Sequence, residues 1–368
     1  LCRFSLPTTD PLSRGPLIRW QDSIGYTRSV KTSLEYYPLQ FIRPAGTSRG
    51  VMKTKQSWFL RIEEKGVVGI GEISIIEDLS PEYEDQQQFE SLIKKYCNAF
   101  DTGEIHPKNL KIELQHLPSL LFAFESALLD LQNGGKQLYF NNEFSRGEKK
   151  LPINGLIWMG DENFMQEQIT QKLKEGFTTI KMKIGAIDIA TELQLLRSIR
   201  KKHSSEQITL RVDANGAFSP EEAKEILKKL AELEIHSIEQ PIRAGNWEAM
   251  KELCAVTPTP IALDEELIGI NDREQKIQLL ETIRPQYIIL KPSLHGGISG
   301  TQEWIELAHE RKIDWWMTSA LESNIGLNVI CQLTGEYNNP LPQGLGTGSL
   351  YTNNVESGLA VLSGMIFL

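Results

Sequence analysis

Residues 208–239, "ITLRVDANGAFSPEEAKEILKKLAELEIHSIE", decide the architecture. The segment ITLRVD reads as a short apolar strand that ends on a charge, Asp213. Ser219 and Glu222 follow with capping-box spacing, and Pro220 sits at the first helical position. Ala223, Ile226, Leu227, Leu230 and Leu233 then lay one apolar stripe along a helix. IHSIE is the next strand, and it too ends on a charge, Glu239. Strand, crossover helix and strand form the unit from which parallel sheets are built.

The same rhythm extends in both directions. Upstream, "SLLFAFESALLDLQNGG" is an apolar helix closed by Gly134 and Gly135. It is followed by a strand in "PINGLIWMG", a helix in "DENFMQEQITQKLKEG" and a strand in "TTIKMKIG" at 178–185. Downstream, the alternation runs almost to the last residue. Lys183, Asp213, Glu239, Asp264 and Lys291 are separated by 30, 26, 25 and 27 residues, one βα unit each, and every one stands at the C-terminal end of its strand. Parallel strands wrapped in helices are buried on both faces and should read as apolar runs. Charges ending five successive strands are therefore costly unless they serve a site. In a βα barrel that rim carries active sites, whereas an open doubly wound sheet places its ligand at one switch point. The pattern predicts a closed ring.

Three carboxylates on adjacent strands would converge. Each alone reads equally well as a salt bridge or a helix cap. In register, like charges that close are driven to protonate unless a cation holds them, and an all-oxygen set suits magnesium or manganese rather than zinc. Strands two and six of an eight-stranded ring face each other, so Lys183 and Lys291 would approach a ligand from opposite sides. An ordinary lysine is only about 0.04% neutral at pH 7. Lys181 shares a strand face with Lys183, and its charge is one means of easing a proton off Lys183.

The remaining composition narrows the function. With 368 residues, 40% of them hydrophobic, the chain is expected to form one large barrel or two domains. A net charge of −9 offers no basic surface for nucleic acid or anionic lipid, so a small-molecule ligand is expected. Cys2, Cys97, Cys254 and Cys331 have no CxxC spacing, which fits a reducing cytoplasm and suggests neither zinc nor a disulfide framework. No apolar run approaches the roughly 18 residues that cross a membrane, and the N-terminus lacks the order of a signal peptide. Residues 1–32, rich in Pro, Ser, Thr and Arg, read as an extension outside the fold. From residue 33 to 118 an α+β region is expected. "LEYYPLQFI" and "SWFLRIEEKGVVGIGEISII" alternate like strands with a turn at Lys65-Gly66, and "EDQQQFESLIKKYCNAF" reads as a helix.

Lys-x-Lys on the second barrel strand, Asp, Glu and Asp on the next three and Lys on the sixth together resemble the enolase superfamily, muconate-lactonizing subgroup. The resemblance covers roughly residues 33–368. It implies a (β/α)7β barrel of the TIM type over 119–349 and an α+β capping domain over 33–118, completed by about 350–368. It also implies Mg2+ (or Mn2+) on Asp213, Glu239 and Asp264, and removal of a proton α to a carboxylate through a metal-stabilised enediolate. By resemblance Lys183 is the base, Lys181 tunes it, and Lys291 stays cationic. "RPAGTSRG" at 43–50, "LKPSLHGG" at 291–297, "TSALESNIGL" at 318–327 and "LPQGLGTG" at 341–348 narrow it toward synthases that dehydrate a cyclic dicarboxylate.

Several residues carry weaker expectations. The 43–50 stretch, with Arg43 and Ser48, reads either as a surface loop or as a lid over substrate. Ser319, Glu322, Gly344 and Gly346 are candidates for holding substrate carboxylates. Asn215 either approaches the metal or caps a turn, and Glu265 could pair with a lysine. His295, in the loop after Lys291, reads as a solvated histidine. A dipeptide epimerase would carry Asp-x-Asp where "GLGTG" stands, which argues against that activity. A racemase of N-succinylamino acids or another enzyme of the same subgroup, such as a muconate cycloisomerase, and more remotely a non-catalytic metal-binding barrel, remain alternatives.

Overall fold

The computed structural model describes residues 30–47 and 50–368. Most of the expected N-terminal extension, together with Ser48, lies outside the described residues. Four antiparallel strands come first: β1 (Lys31–Tyr36), β2 (Leu39–Thr47), β3 (Gly50–Glu64) and β4 (Val67–Ile75). The long β3 is central and pairs with the other three. The β3–β4 hairpin turns at Lys65-Gly66, where φ is +53° and +79°, as a two-residue turn that follows strand twist requires. Helices α1 (Gln86–Asp101), α2 (Leu110–Glu113) and α3 (Pro118–Gln132) cover one face of this sheet.

Alternation gives that sheet two unlike faces. Trp58, Leu60, Ile62, Ile73 and Ile75 point to one side and form a core with α1 and α3. Close approach on that side depends on glycine. A Cβ at Gly71 would stand 2.1 Å from the Ala123 carbonyl oxygen, and one at Gly69 would stand 2.0 Å from that of Ala127. Lys55, Ser57, Glu72 and Ser74 point to the other side. A polar face of this kind ordinarily meets water, but here all four are at most 2% exposed because the barrel covers them.

The barrel begins with β5 (Leu151–Pro152) and β6 (Gly155–Ile157), then α4 (Glu162–Lys174), β7 (Thr179–Lys183), α5 (Ile189–Arg200), β8 (Thr209–Asp213), α6 (Pro220–Glu232) and β9 (Ser237–Glu239). It continues with α7 (Trp247–Val256), β10 (Ile261–Leu263), α8 (Arg273–Ile283), β11 (Tyr287–Leu290), α9 (Gly297–Glu310), β12 (Asp314–Met317) and α10 (Asn324–Gly335). Strands β6 to β12 form one parallel sheet in sequential order. Gln343 and Gly344 close it: Gln343 bridges Ile153 beside β6, and Gly344 bridges Thr318 after β12. The ring is thus seven full strands and a very short eighth, the expected (β/α)7β barrel. The predicted capping box is present at the start of α6, with Ser219 and Glu222 each accepting the other's backbone N–H.

The C-terminal segment ties the parts together. Leu350 accepts the Ile42 amide, Tyr351 packs on Phe41, and Thr352 donates to Gln40, all on β2. A last hairpin, β13 (Ala360–Leu362) and β14 (Met365–Phe367), pairs with β5. Two glutamates fasten the cap to the barrel by accepting N–H groups at helix N-termini, where backbone donors lack partners. Glu72 on β4 accepts from Ser323 N, Ser323 Oγ and Gly326 N at the start of α10. Glu125 on α3 accepts from Ile298 N and Ser299 N at the start of α9. Among the described residues no helix is long and apolar enough to cross a membrane, and Cys97, Cys254 and Cys331 are free thiols, all buried.

Candidate active site

The five strand-end charges meet at one level of the ring. Lys183 on β7 is in register with Asp213 on β8, and Asp213 with Glu239 on β9. Strand alternation turns Lys181 and Lys183 inward, while Ile180 and Met182 between and beside them join the apolar layer beneath the helices. Asp264 directly follows β10 and Lys291 directly follows β11. All six charged groups, Lys181 included, are at most 9% exposed.

Each carboxylate engages a lysine. Lys181 Nζ lies 2.5 Å from Glu239 Oε2 and 3.0 Å from Asp213 Oδ2, and Lys183 Nζ lies 3.0 Å from the same Asp213 oxygen. Lys291 Nζ pairs with Asp264 Oδ2. Lys183 also donates to Asn215 Oδ1 at 2.7 Å, and Asn215 Nδ2 donates to Glu265 Oε1 at 3.0 Å. Asn215, at φ +45°, therefore links Lys183 to the fifth strand's rim. Burial pushes Asp213 up, but Lys181 and Lys183 override it and hold the carboxyl well below the usual range. Asp264 is also held low, with Lys291 outweighing burial. Glu239 is pushed up by burial and by the charge of Asp213 against the pull of Lys181.

Bound to lysines in this way, the carboxylates form no group of three side chains positioned to hold a metal among the described residues. The donor set still fits a hard divalent cation. Among the described residues, Glu239 Oε1 and Asp264 Oδ1 are buried and accept no hydrogen bond, and Asp213 Oδ1 accepts the Asn215 amide. Buried carboxylate oxygens without donors are costly, and an oxygen-seeking cation satisfies them. Counted with every group ionised, the three ammoniums balance the three carboxylates. A divalent cation there would add two positive charges, which a dicarboxylate balances.

Above the rim is a cavity of about 540 Å³ between barrel and cap. Lys181, Lys183, Asp213, Asn215, Lys291, Ser319, Gly344 and Gly346 line it, as do Gly50 and the following residues of β3. Ser48 lies outside the described residues. Two expected residues are placed differently: Arg43 is exposed on β2 and outside the cavity lining, and Glu322 is buried behind the wall. Its two oxygens accept the hydroxyls of Ser293 at 2.5 Å and Ser319 at 2.6 Å, so Glu322 holds Ser319 rather than facing the cavity.

Other residues take roles that sequence reading did not assign them. His295 is not solvated: it is 1% exposed, and its Nδ1 accepts the Lys291 amide at 3.0 Å, fixing the turn that presents Lys291. Burial lowers the His295 pKa to about 3, consistent with a neutral, accepting ring. Gln240, fully buried at φ +39°, accepts the Asp264 and Glu266 amides and donates to Glu266 Oε2, binding the rims of the fourth and fifth strands together. Its position directly after Glu239 was the only available signal. Lys55 lines the cavity from the cap side. It lies in the polar run "MKTKQS", where a lysine carries no mark of burial.

Comparison with known proteins agrees with this geometry. The family described as Enolase C-terminal domain-like matches residues 165–366, more than half of the chain. The o-succinylbenzoate synthase of Desulfotalea psychrophila is 48% identical over 360 residues, spanning 89% of this chain and 96% of the relative. The crystal structure of MenC from the same organism superposes with a TM-score of 0.80 at 44% identity, covering 92% of this chain and all of that one. A dipeptide epimerase from Enterococcus faecalis, solved with Mg and the dipeptide L-Leu-L-Tyr, has a TM-score of 0.79 at 20% identity over 92% of this chain and 97% of its own, a likeness of fold alone.

Proposed function

The chain belongs to the enolase superfamily, and we propose that it acts as an o-succinylbenzoate synthase of menaquinone biosynthesis. It dehydrates 2-succinyl-6-hydroxy-2,4-cyclohexadiene-1-carboxylate to 2-succinylbenzoate. The observation that carries this proposal is the pair of lysines, Lys183 on the second strand and Lys291 after the sixth, opening into one cavity above three carboxylates. Of the expected division, residues 33–118 with about 350–368 as cap and 119–349 as catalytic barrel, the cap side also takes in Lys31 and Thr32 of β1 and the helix α3, which packs against the cap sheet. Buried free thiols fit a cytoplasmic setting.

Asp213, Glu239 and Asp264 would hold one Mg2+, or Mn2+ as the other hard cation of suitable size. When bound, the ion supplies a Lewis acid beside the carboxylate of the reacting carbon. Lys183 Nζ takes the proton from that carbon, and the C–H electron pair moves toward the carboxylate. The Lys291 ammonium, on the opposite side, meets the developing negative charge. Return of the electron pair expels the β-hydroxyl, which takes the same proton back from Lys183 and leaves as water. The ring becomes aromatic, so the protein has chiefly to place the substrate and lower the first barrier. Ser319, Gly344 and Gly346 form the wall against which the substrate rests at the seventh and eighth strands, and Asn215 and Lys181 hold Lys183 and Asp213 in position.

The test is the ultraviolet spectrum of the cyclohexadiene incubated with the protein, with magnesium or with EDTA. Loss of the diene band that requires metal and disappears in Lys183→Ala is expected. An unchanged spectrum from folded, magnesium-bound protein would overturn the assignment and direct attention to succinylated amino acids.

A further inference from the structure

Lys55 is a lysine inside the protein, 2% exposed, on the cap strand that walls the cavity opposite the barrel rim. Its ammonium donates to Ser74 Oγ at 2.5 Å and, among the described residues, has no carboxylate within ion-pair distance. Glu322 and Glu72 are the acidic groups whose charges act on it, and both are already engaged. Glu72 accepts from Ser57, Ser323 and Gly326, and Glu322 from Ser293 and Ser319. Two of the three Lys55 N–H donors are therefore left over beside a ligand-sized cavity. Burial lowers the Lys55 pKa, and with Glu322 and Glu72 opposing it in part the net value is about 8. A buried cation with spare donors is costly unless an anion answers it.

Resting on the synthase assignment, the proposed substrate carries two carboxylates at opposite ends, one on the reacting ring carbon and one at the end of the succinyl chain. We infer that Lys55 is the receptor for the carboxylate remote from the reacting carbon. The cap thereby supplies a charge-assisted anchor that the barrel rim cannot, and the distance between cap and rim selects the length of the diacid.

The experiment compares binding of 2-succinylbenzoate with that of its succinyl-chain monoamide, by calorimetry in magnesium buffer, for wild type, Lys55→Met and Lys55→Arg. Wild type should prefer the diacid by about 10- to 100-fold, the range of one hydrogen bond to a charged group. Lys55→Met should lose that preference by binding the diacid more weakly and the amide almost unchanged, and Lys55→Arg should retain part of it. Equal weakening of both ligands in Lys55→Met would mean that Lys55 only supports the wall, and the inference falls. If Lys55→Met does not fold, wild type decides: no preference for the diacid overturns the inference. Turnover of the cyclohexadiene by wild type is scored separately, so failure of the synthase assignment is distinguishable from failure of the Lys55 assignment.

Discussion

The protein buries charge in two places, and it treats them differently. At the barrel rim, lysines and carboxylates face one another directly, and Glu239 Oε1 and Asp264 Oδ1 are left without donors. At the seam between cap and barrel, Glu72 and Glu125 meet backbone amides and serine hydroxyls at the mouths of α10 and α9. The rim keeps electrostatic capacity in reserve for ligands, whereas the glutamates of the seam spend theirs on holding two units together. Buried charge alone therefore does not mark a catalytic group; oxygens and ammoniums left incompletely bonded beside a cavity do.

Substitutions can break this distinction. The largest effect is expected at Lys183, which is used twice in the proposed reaction. Lys183→Ala should lower kcat by about 10⁴-fold, with circular dichroism and Tm near those of wild type. A variant that instead unfolds would mean the rim, too, is structural. Lys291→Met should cost roughly 10²–10³-fold in kcat, with little change in thermal stability. Seam variants should show the reverse. Glu72→Ala strands the Ser323 and Gly326 amides and should lower stability by about 3 kcal/mol in urea titrations, while kcat of the folded fraction stays near wild type; a kcat loss at full stability would assign Glu72 to chemistry.

The smallest effect sharpens the comparison through pH. Burial raises the Glu125 pKa to about 7 from an ordinary 4.5. The stability that Glu125 contributes is therefore fully present below about pH 4.5 and is lost as pH rises through about 7. Glu125→Gln keeps an acceptor for Ile298 and Ser299 but does not titrate. Across that window the stability difference should move in favour of the variant by roughly 3 kcal/mol or less. A pH-independent difference would show that Glu125 does not titrate there.

How far the sequence could be read follows the same division. The rim was legible because parallel barrel strands should be apolar, so Asp213, Glu239 and Asp264 stood out against their strands. The spacing of one βα unit then gave the ring. The cap strands alternate, and alternation predicts a polar face without saying what covers it. Lys55, Ser57, Glu72 and Ser74 fit a solvent-facing pattern, and only the docking of the barrel turns that face into an interior. Glu322 misled for a related reason: its place in "TSALES" is at the rim, but Ser293, nearly thirty residues earlier, takes one of its oxygens inward. The position of His295 was legible, but its burial was not, because a loop's path depends on contacts distant in sequence.

The eighth strand, Gln343 and Gly344, has a consequence for how the molecule is made. A ribosome that has finished β6 must deliver nearly two hundred further residues before the ring can shut, and the Leu350 carbonyl that receives the Ile42 amide arrives later still. At roughly 5–20 residues per second the half-built sheet waits for about 10 to 40 seconds with both edges open. Loop closure over such a separation is slow, so newly made chains should depend on protection from edge-to-edge association during synthesis.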